Sequence, residues 1–359
     1  MPDQFEHGYA LIVGVNESSV DSWALPDIDK DVKALHEVLT HPERCAYPED
    51  NVKVIRGREA TRVGILSGLS WLRQRIQETA SDDATVVIYY SGHGWRDETV
   101  DPPVSYLVPY DVVEGQIALS ALRASDLSAA IAALQPRRLL VALDCCHAGG
   151  MGVKGIGSRP AGYAEAAIPP ALLMGSDPVA GPACGKGLEM LASGRGRAVL
   201  SSSTGEQQSY VRADGAMSIF TYHLIEALTG HAEPKEDATK VLVSDVMSHV
   251  WRHVPESARA IGAEQTPDYQ VSGNFAISLL LGGKGLSKGQ PAPDPLKAGQ
   301  GSGGTRTIDT GGGTYIEGNV HIHGGDFIGG RGSVYGNRTR RRLRQQPEDR
   351  PRVPDGGDA

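Results

Sequence analysis

Sulfur and aromatic side chains are scarce here: 359 residues hold four cysteines, four tryptophans and four phenylalanines. The cysteines are Cys45, Cys145, Cys146 and Cys184, and two of them are neighbours, a poor geometry for closing on each other. A disulfide framework is therefore excluded, and a reducing compartment is expected. Long apolar runs are missing as well. No segment approaches the roughly 18 apolar residues that a spanning helix needs. The N-terminal run at 9–15 is too short and too poorly flanked for a secretory leader. Positive charge is not in excess either, since the net charge is -8, which argues against a chain built to wrap nucleic acid. A soluble cytoplasmic protein with no membrane or nucleic-acid partner is the expectation.

What is present suits a large folded domain. Apolar residues make up 40% and charged residues 22%, enough to bury a sizeable core. Short β-rich apolar runs fall at 9–15, 52–55, 85–91, 138–143 and 198–202, with a sixth candidate at 274–281. Their near-continuous apolar character suits strands covered on both faces, as in a parallel sheet. Helical patterns alternate with them, at 29–40, 67–79, 125–134, 218–228 and 243–253. The first carries the stripe Val32, Leu35, Val38 and Leu39. Alternation of this kind predicts an α/β sandwich of three layers with a mostly parallel central sheet. Active sites of such sheets open at the carboxyl ends of the strands.

Two stretches interrupt the pattern. Residues 149–197 are rich in Gly, Pro and Ala and have no strong period, which reads as a loose linker. The second interruption divides the chain into a main domain at 1–281, a flexible linker at 282–305, a Gly-rich repeat at 306–337 and a basic tail at 338–359. In the repeat, Ile316, Ile322, Ile328 and Val334 are spaced by six, as are Gly318, Gly324, Gly330 and Gly336. An even period puts the apolar residues on one face of an extended chain. Four hexads form too small a core to stand alone, so self-association or capture of a partner through 306–337 is expected. The tail that follows carries Arg338, Arg340, Arg341, Arg342 and Arg344, which reads as a solvated basic run.

Two motifs lie at the ends of predicted strands. One is Tyr89-Tyr90-Ser91-Gly92-His93-Gly94; the other is Asp144-Cys145-Cys146-His147-Ala148-Gly149. A thiol of ordinary pKa is only a few per cent thiolate at neutral pH. A nearby imidazole raises the reactive fraction and later protonates the leaving amine. Backbone N–H groups in a Gly-rich stretch can hold an oxyanion, and Gly94 and Cys146 are the candidates. The flanking glycines allow tight turns and close approach of a substrate backbone. Cys145 reads as a small buried residue rather than the nucleophile.

Together these motifs resemble the caspase-like cysteine peptidases (peptidase C14 type), closest to the metacaspase and bacterial orthocaspase branch. The resemblance runs over roughly 9–281 and also takes in the Leu-x-Pro-x-Asp ending at Asp111, the stretch 198–228 and 265–267. The 53 positions from His93 to Cys146 are similar to the caspase spacing. It implies a caspase-like fold, Cys146 as nucleophile, His93 as base, and a regulated endopeptidase activated by processing within 149–197 or by a partner. The alternative is a caspase-fold scaffold without turnover that assembles through the repeat. The loop 16–31 has five acidic residues and no arginine. By resemblance Asp31, Ser91, Asp111 and Asp144 line an acidic pocket, which favours protein or peptide substrates with Arg or Lys before the cut bond. No cofactor is expected. Calcium enters only as a second thought, through Asp97, Glu98 and Asp101, whose spacing is not that of an EF-hand loop.

Overall fold

The computed structural model describes residues 4–78, 83–145, 163–174, 196–205, 207–232, 238–281, 327–329 and 333–335. In chain order the elements begin with β1 (Gly8–Gly14), α1 (Ile28–Thr40), β2 (Val52–Arg56), α2 (Arg62–Glu78) and β3 (Thr85–Gly92). Next come β4 (Gly94–Asp97), β5 (Val104–Leu107), α3 (Ile117–Ser120), β6 (Leu122–Arg123), α4 (Ala124–Ala132), β7 (Arg138–Cys145), β8 (Tyr163–Glu165) and β9 (Gly196–Ser201). The series continues with α5 (Ile219–Leu228), β10 (Lys240–Leu242), α6 (Val243–Ala260), β11 (Asp268–Ser272) and β12 (Ala276–Leu279). Two short strands, β13 (Phe327–Gly329) and β14 (Ser333–Tyr335), complete it.

A six-stranded sheet ordered β11-β9-β7-β3-β1-β2 forms the centre. All its pairings are parallel except β11 with β9. Every residue of β1 and β3 is buried, and all of β7 but its first. The continuous apolar runs therefore do mark two-sided strands. Successive side chains alternate between faces, and the core divides accordingly. Ala10, Ile12, Val87, Tyr89, Leu140 and Ala142 face one layer, against α1, α5 and α6. Tyr9, Leu11, Val86, Ile88, Leu139 and Val141 face the other, against α2 and α4. Each fully buried aliphatic side chain contributes about 2 kcal/mol. Gly68 of α2 lets that helix sit close on the sheet: a Cβ there would lie 2.6 Å from Ile55 Cδ1 and 2.9 Å from Leu11 Cδ1.

The structure departs from the expected elements in three places. The sixth candidate strand joins another sheet, because Ala276–Leu279 pairs antiparallel with β10. Its place at the sheet edge is taken by β11, whose DYQVS is half to fully exposed and so lacks the apolar run that marks inner strands. Gly92 and Gly94 stand in β3 and β4 rather than in a tight turn. Gly92 is required by close approach instead, since a Cβ there would meet Tyr90 Oη at 2.6 Å. The middle of the expected linker is packed. β8 pairs with β4, Ala166 N–H donates to Gly94 O at 3.0 Å, and Ala166, Ala167, Ile168 and Leu173 are all buried.

The chain divides into two units, Met1–Gly299 and Gln300–Ala359. In the second, β13 and β14 pair antiparallel with Ile328 opposite Val334. The rest of 306–337, the arginine run and all of 282–305 lie outside the described residues. Among the described residues no helix is long and apolar enough to cross a membrane.

Candidate active site

The register of β3 on β7 sets Ser91 opposite Asp144 and Gly92 opposite Cys145. His93 follows at once, at the carboxyl end of the central strands. It is 2% exposed. Its Nε2 lies 3.1 Å from the carbonyl oxygen of Trp23. A carbonyl only accepts, so Nε2 carries the proton, and in the neutral ring Nδ1 holds the lone pair. The Trp23 indole meets Trp95 edge-on at 4.6 Å, and the His93 ring lies 6.1 Å from that of Trp95. This aromatic pair belongs to a small separate core with Tyr106, Val108 and Ile117. The loop that carries Trp23 was read only for its acidic residues. A backbone carbonyl leaves no mark in a sequence, so Trp23 could not have been found as the orienting residue.

Cys146 lies outside the described residues, and so do His147 and the linker basics Lys154, Arg159, Lys186 and Arg195. Cys145 is a fully buried thiol at the end of β7, and its carbonyl accepts Ser202 Oγ–H at 3.1 Å. Gly94 is buried in β4 opposite Leu107.

Two of the pocket candidates come together around the first turn of α5. Asp144 is fully buried, and its carboxylate accepts from Ser209 Oγ at 2.6 Å, from Thr221 Oγ1 at 2.9 Å and from Ser218 Oγ. Ser218 is the N-cap of α5, its hydroxyl oxygen accepting Thr221 N–H at 2.9 Å. The Ser218 backbone N–H donates to Asp31 Oδ1 at 2.9 Å. One serine therefore touches both carboxylates. Tyr89 Oη lies 2.6 Å from Thr221 Oγ1; since Thr221 gives its proton to Asp144, Tyr89 donates to it. Gln265 closes the ring, with Nε2 donating to Ser202 O at 3.0 Å and Ser209 Oγ at 3.2 Å, and Oε1 accepting Tyr210 N–H at 3.0 Å.

Burial and the neighbouring Asp144 push the Asp31 carboxyl well above the ordinary range, against the opposing pull of the Ser218 N–H. Among the described residues no Lys, Arg or His forms an ion pair with Asp31 or Asp144. Two buried acids thus share a site whose donors, among the described residues, are all neutral. Desolvation raises the cost of the charged form, and a like charge nearby raises it further.

The remaining candidates sit differently. Ser91 is fully buried on β3 beside Asp144. Asp111 is exposed, and its Oδ1 accepts the N–H of Arg62, the first residue of α2, at 2.8 Å; the N-cap itself is Thr61, whose Oγ1 accepts Gly64 N–H at 2.9 Å. No hydrogen bond joins it to Asp31 or Asp144. In the acidic segment after His93, Asp97 Oδ1 accepts from Thr99 N–H and Oγ1 at 2.9 and 2.6 Å, and Glu98 pairs with Arg96 at 2.6 Å.

A second group of ionisable residues escaped the sequence reading: His223 and Glu226 on α5 with His249 on α6. The spacings His223-x-x-Glu226 and His249-x-x-x-His253 put each pair on one helix face, and that was the available signal.

A family model described as Caspase domain matches residues 7–275. A search of curated proteins finds no match. The family match spans most of the chain, so the chain belongs to the caspase-domain family, peptidase C14. Membership supports a cysteine-type peptidase acting on protein substrates in general.

Proposed function

We propose that this caspase-family chain is a cysteine endopeptidase of the metacaspase and orthocaspase kind that cleaves proteins after Arg or Lys. The single observation that carries the specificity is the buried Asp31–Asp144 pair, to which no Lys, Arg or His forms an ion pair among the described residues. A guanidinium or ammonium from a substrate would supply the missing charge, and charge-assisted hydrogen bonds in a desolvated site discriminate strongly. Ser91 lies beside this pair and completes the pocket. Asp111, exposed and committed to α2, is left out of it.

His93 is the base in this reading. The Trp23 carbonyl orients its ring, and in this reading Nδ1, the lone-pair nitrogen of that tautomer, takes the thiol proton, as a general base does. Cys146 is the nucleophile. It follows Cys145 in the sequence, and Cys145 pairs with Gly92 on a strand about 4.8 Å away. The thiolate attacks the scissile carbonyl to form an acyl-enzyme, the His93 proton goes to the leaving amine, and water then releases the acid product. The N–H groups of Gly94 and Cys146 serve the oxyanion. Processing within 149–197 fits best on either side of 163–174, since that stretch is packed and its flanks hold Arg159, Lys186 and Arg195.

The test is covalent capture by a thiol-directed peptide ending in Arg. Modification of Cys146 that disappears in His93→Ala is the expected outcome. Absence of capture in the intact chain would leave a caspase-fold scaffold as the better reading.

A further inference from the structure

Behind the acidic pair, α5 and α6 assemble a set of side chains for which the peptidase reading has no use. His223 Nδ1 lies 2.7 Å from Glu226 Oε2, and His249 Nε2 lies 3.1 Å from the same oxygen. One ligand atom from each residue falls within 4.8 Å of the others. His223 and His249 are 6% and 7% exposed. The two helices pack along this seam, so the three atoms are fixed by the fold rather than by flexible surface chains.

We propose that His223, Glu226 and His249 form a binding site for a divalent transition-metal ion of the zinc type, separate from the peptidase site. Two imidazoles and a carboxylate are the donor set that such ions prefer over calcium or magnesium. Three protein ligands leave one position for water. His223 already has an outer partner: its Nε2 lies 2.7 Å from Ser257 Oγ. With Nε2–H given to that hydroxyl, Nδ1 presents its lone pair to the ion, and the outer hydrogen bond fixes the ring. Without an ion the same geometry demands protons on both His223 Nδ1 and His249 Nε2, because both nitrogens face one accepting oxygen.

The surroundings fit this role. His253 stacks near both rings, 4.4 Å from His249 and 5.7 Å from His223, with its own Nδ1 on Glu256 at 3.1 Å. An ion here would tie α5 to α6 a little over one turn beyond Ser218, the residue that holds Asp31 and Asp144.

The experiment titrates the full chain carrying Cys146→Ala, which removes a competing thiol, with Co²⁺ as the probe. Uptake of one equivalent with the visible ligand-field bands of a low-coordinate nitrogen–oxygen site is expected. His249→Gln and Glu226→Gln should each weaken uptake by at least about tenfold, while replacing His321 and His323 in the tail should not alter it. Zn²⁺ should raise the thermal midpoint of the parent and not that of the ligand variants. If His249→Gln does not fold, by circular dichroism without metal, Glu226→Gln decides. No uptake by the parent, or uptake unchanged in the folded ligand variant, overturns the proposal and leaves a hydrogen-bonded seam.

Discussion

Two acidic centres, one buried and one half-buried, meet the same helix, and they differ in who donates to them. At the N-terminus of α5, Asp31 and Asp144 receive hydrogen bonds from serine, threonine and backbone N–H groups. Further along, Glu226 receives two imidazoles. Neutral donors do not offset two charges held close together, and Asp31 rises. Imidazoles do offset one, and Glu226 falls. Burial acts in the same direction at both. The lesson is that depth does not decide the charge of a carboxylate; the donors do. The first centre is left short of positive charge and suits a cationic substrate side chain. The second already has its nitrogen ligands and suits a metal ion.

The largest effect that could break this comparison is at Asp144. Asp144→Asn keeps the volume and an acceptor but removes the charge. If a cationic side chain binds there, turnover of Arg-ending peptides should fall by about 100-fold, the scale of roughly 3 kcal/mol for a desolvated charge pair. Steady-state kinetics on Arg- and Lys-ending peptides gives the answer. An unchanged rate would separate the acidic pair from specificity.

A smaller effect concerns Asp31 and stability. Its carboxyl is raised in the folded protein, so between the ordinary carboxylate range and the raised value the unfolded chain loses its proton first. Folding stability therefore declines as pH rises through that window, and the loss is complete above it. Asp31→Asn keeps an acceptor for Ser218 N–H and removes the like charge. It should raise the thermal midpoint at neutral pH by about 2–4 °C, and the gain should vanish below the ordinary carboxylate range, where both forms are neutral. Thermal unfolding across pH measures it. A loss of stability at neutral pH would contradict the uncompensated-charge account.

The smallest effect sharpens the boundary of the pocket. Asp111→Ala should cost about 1 kcal/mol through loss of its hydrogen bond to the first N–H of α2 and leave the preference for Arg over Asp unchanged. A lost preference would bring Asp111 back into the site.

The fold was legible where the chain is apolar. Five strands and five helices announced themselves because β1, β3, β7 and β9 are covered on both faces and α1 buries Val32, Leu35, Val38 and Leu39. β11 was missed because it is an exposed edge, and 274–281 was found as a strand without its partner β10, because an apolar run does not say what it pairs with. The packed stretch 163–174 was hidden by Gly- and Pro-rich surroundings and by strands only three residues long. At the site, His93 and the motif beginning at Asp144 stood out at strand ends, while Asp31 entered through the family resemblance alone. What stayed invisible was contributed by backbone or by distant sequence: the Trp23 carbonyl, the Ser218 bridge between two acids, and the meeting of His223 with His249 across two helices.

The most direct test of the central reading is a matched pair of thiol-directed peptides, identical except for Arg or Asp at the end, offered to the intact chain. Mass spectrometry then maps the modified residue. Capture at Cys146 by the Arg form, slowed strongly in Asp144→Asn and abolished in His93→Ala, is the predicted result. Capture by the Asp form in preference, or modification that is indifferent to His93, would contradict it.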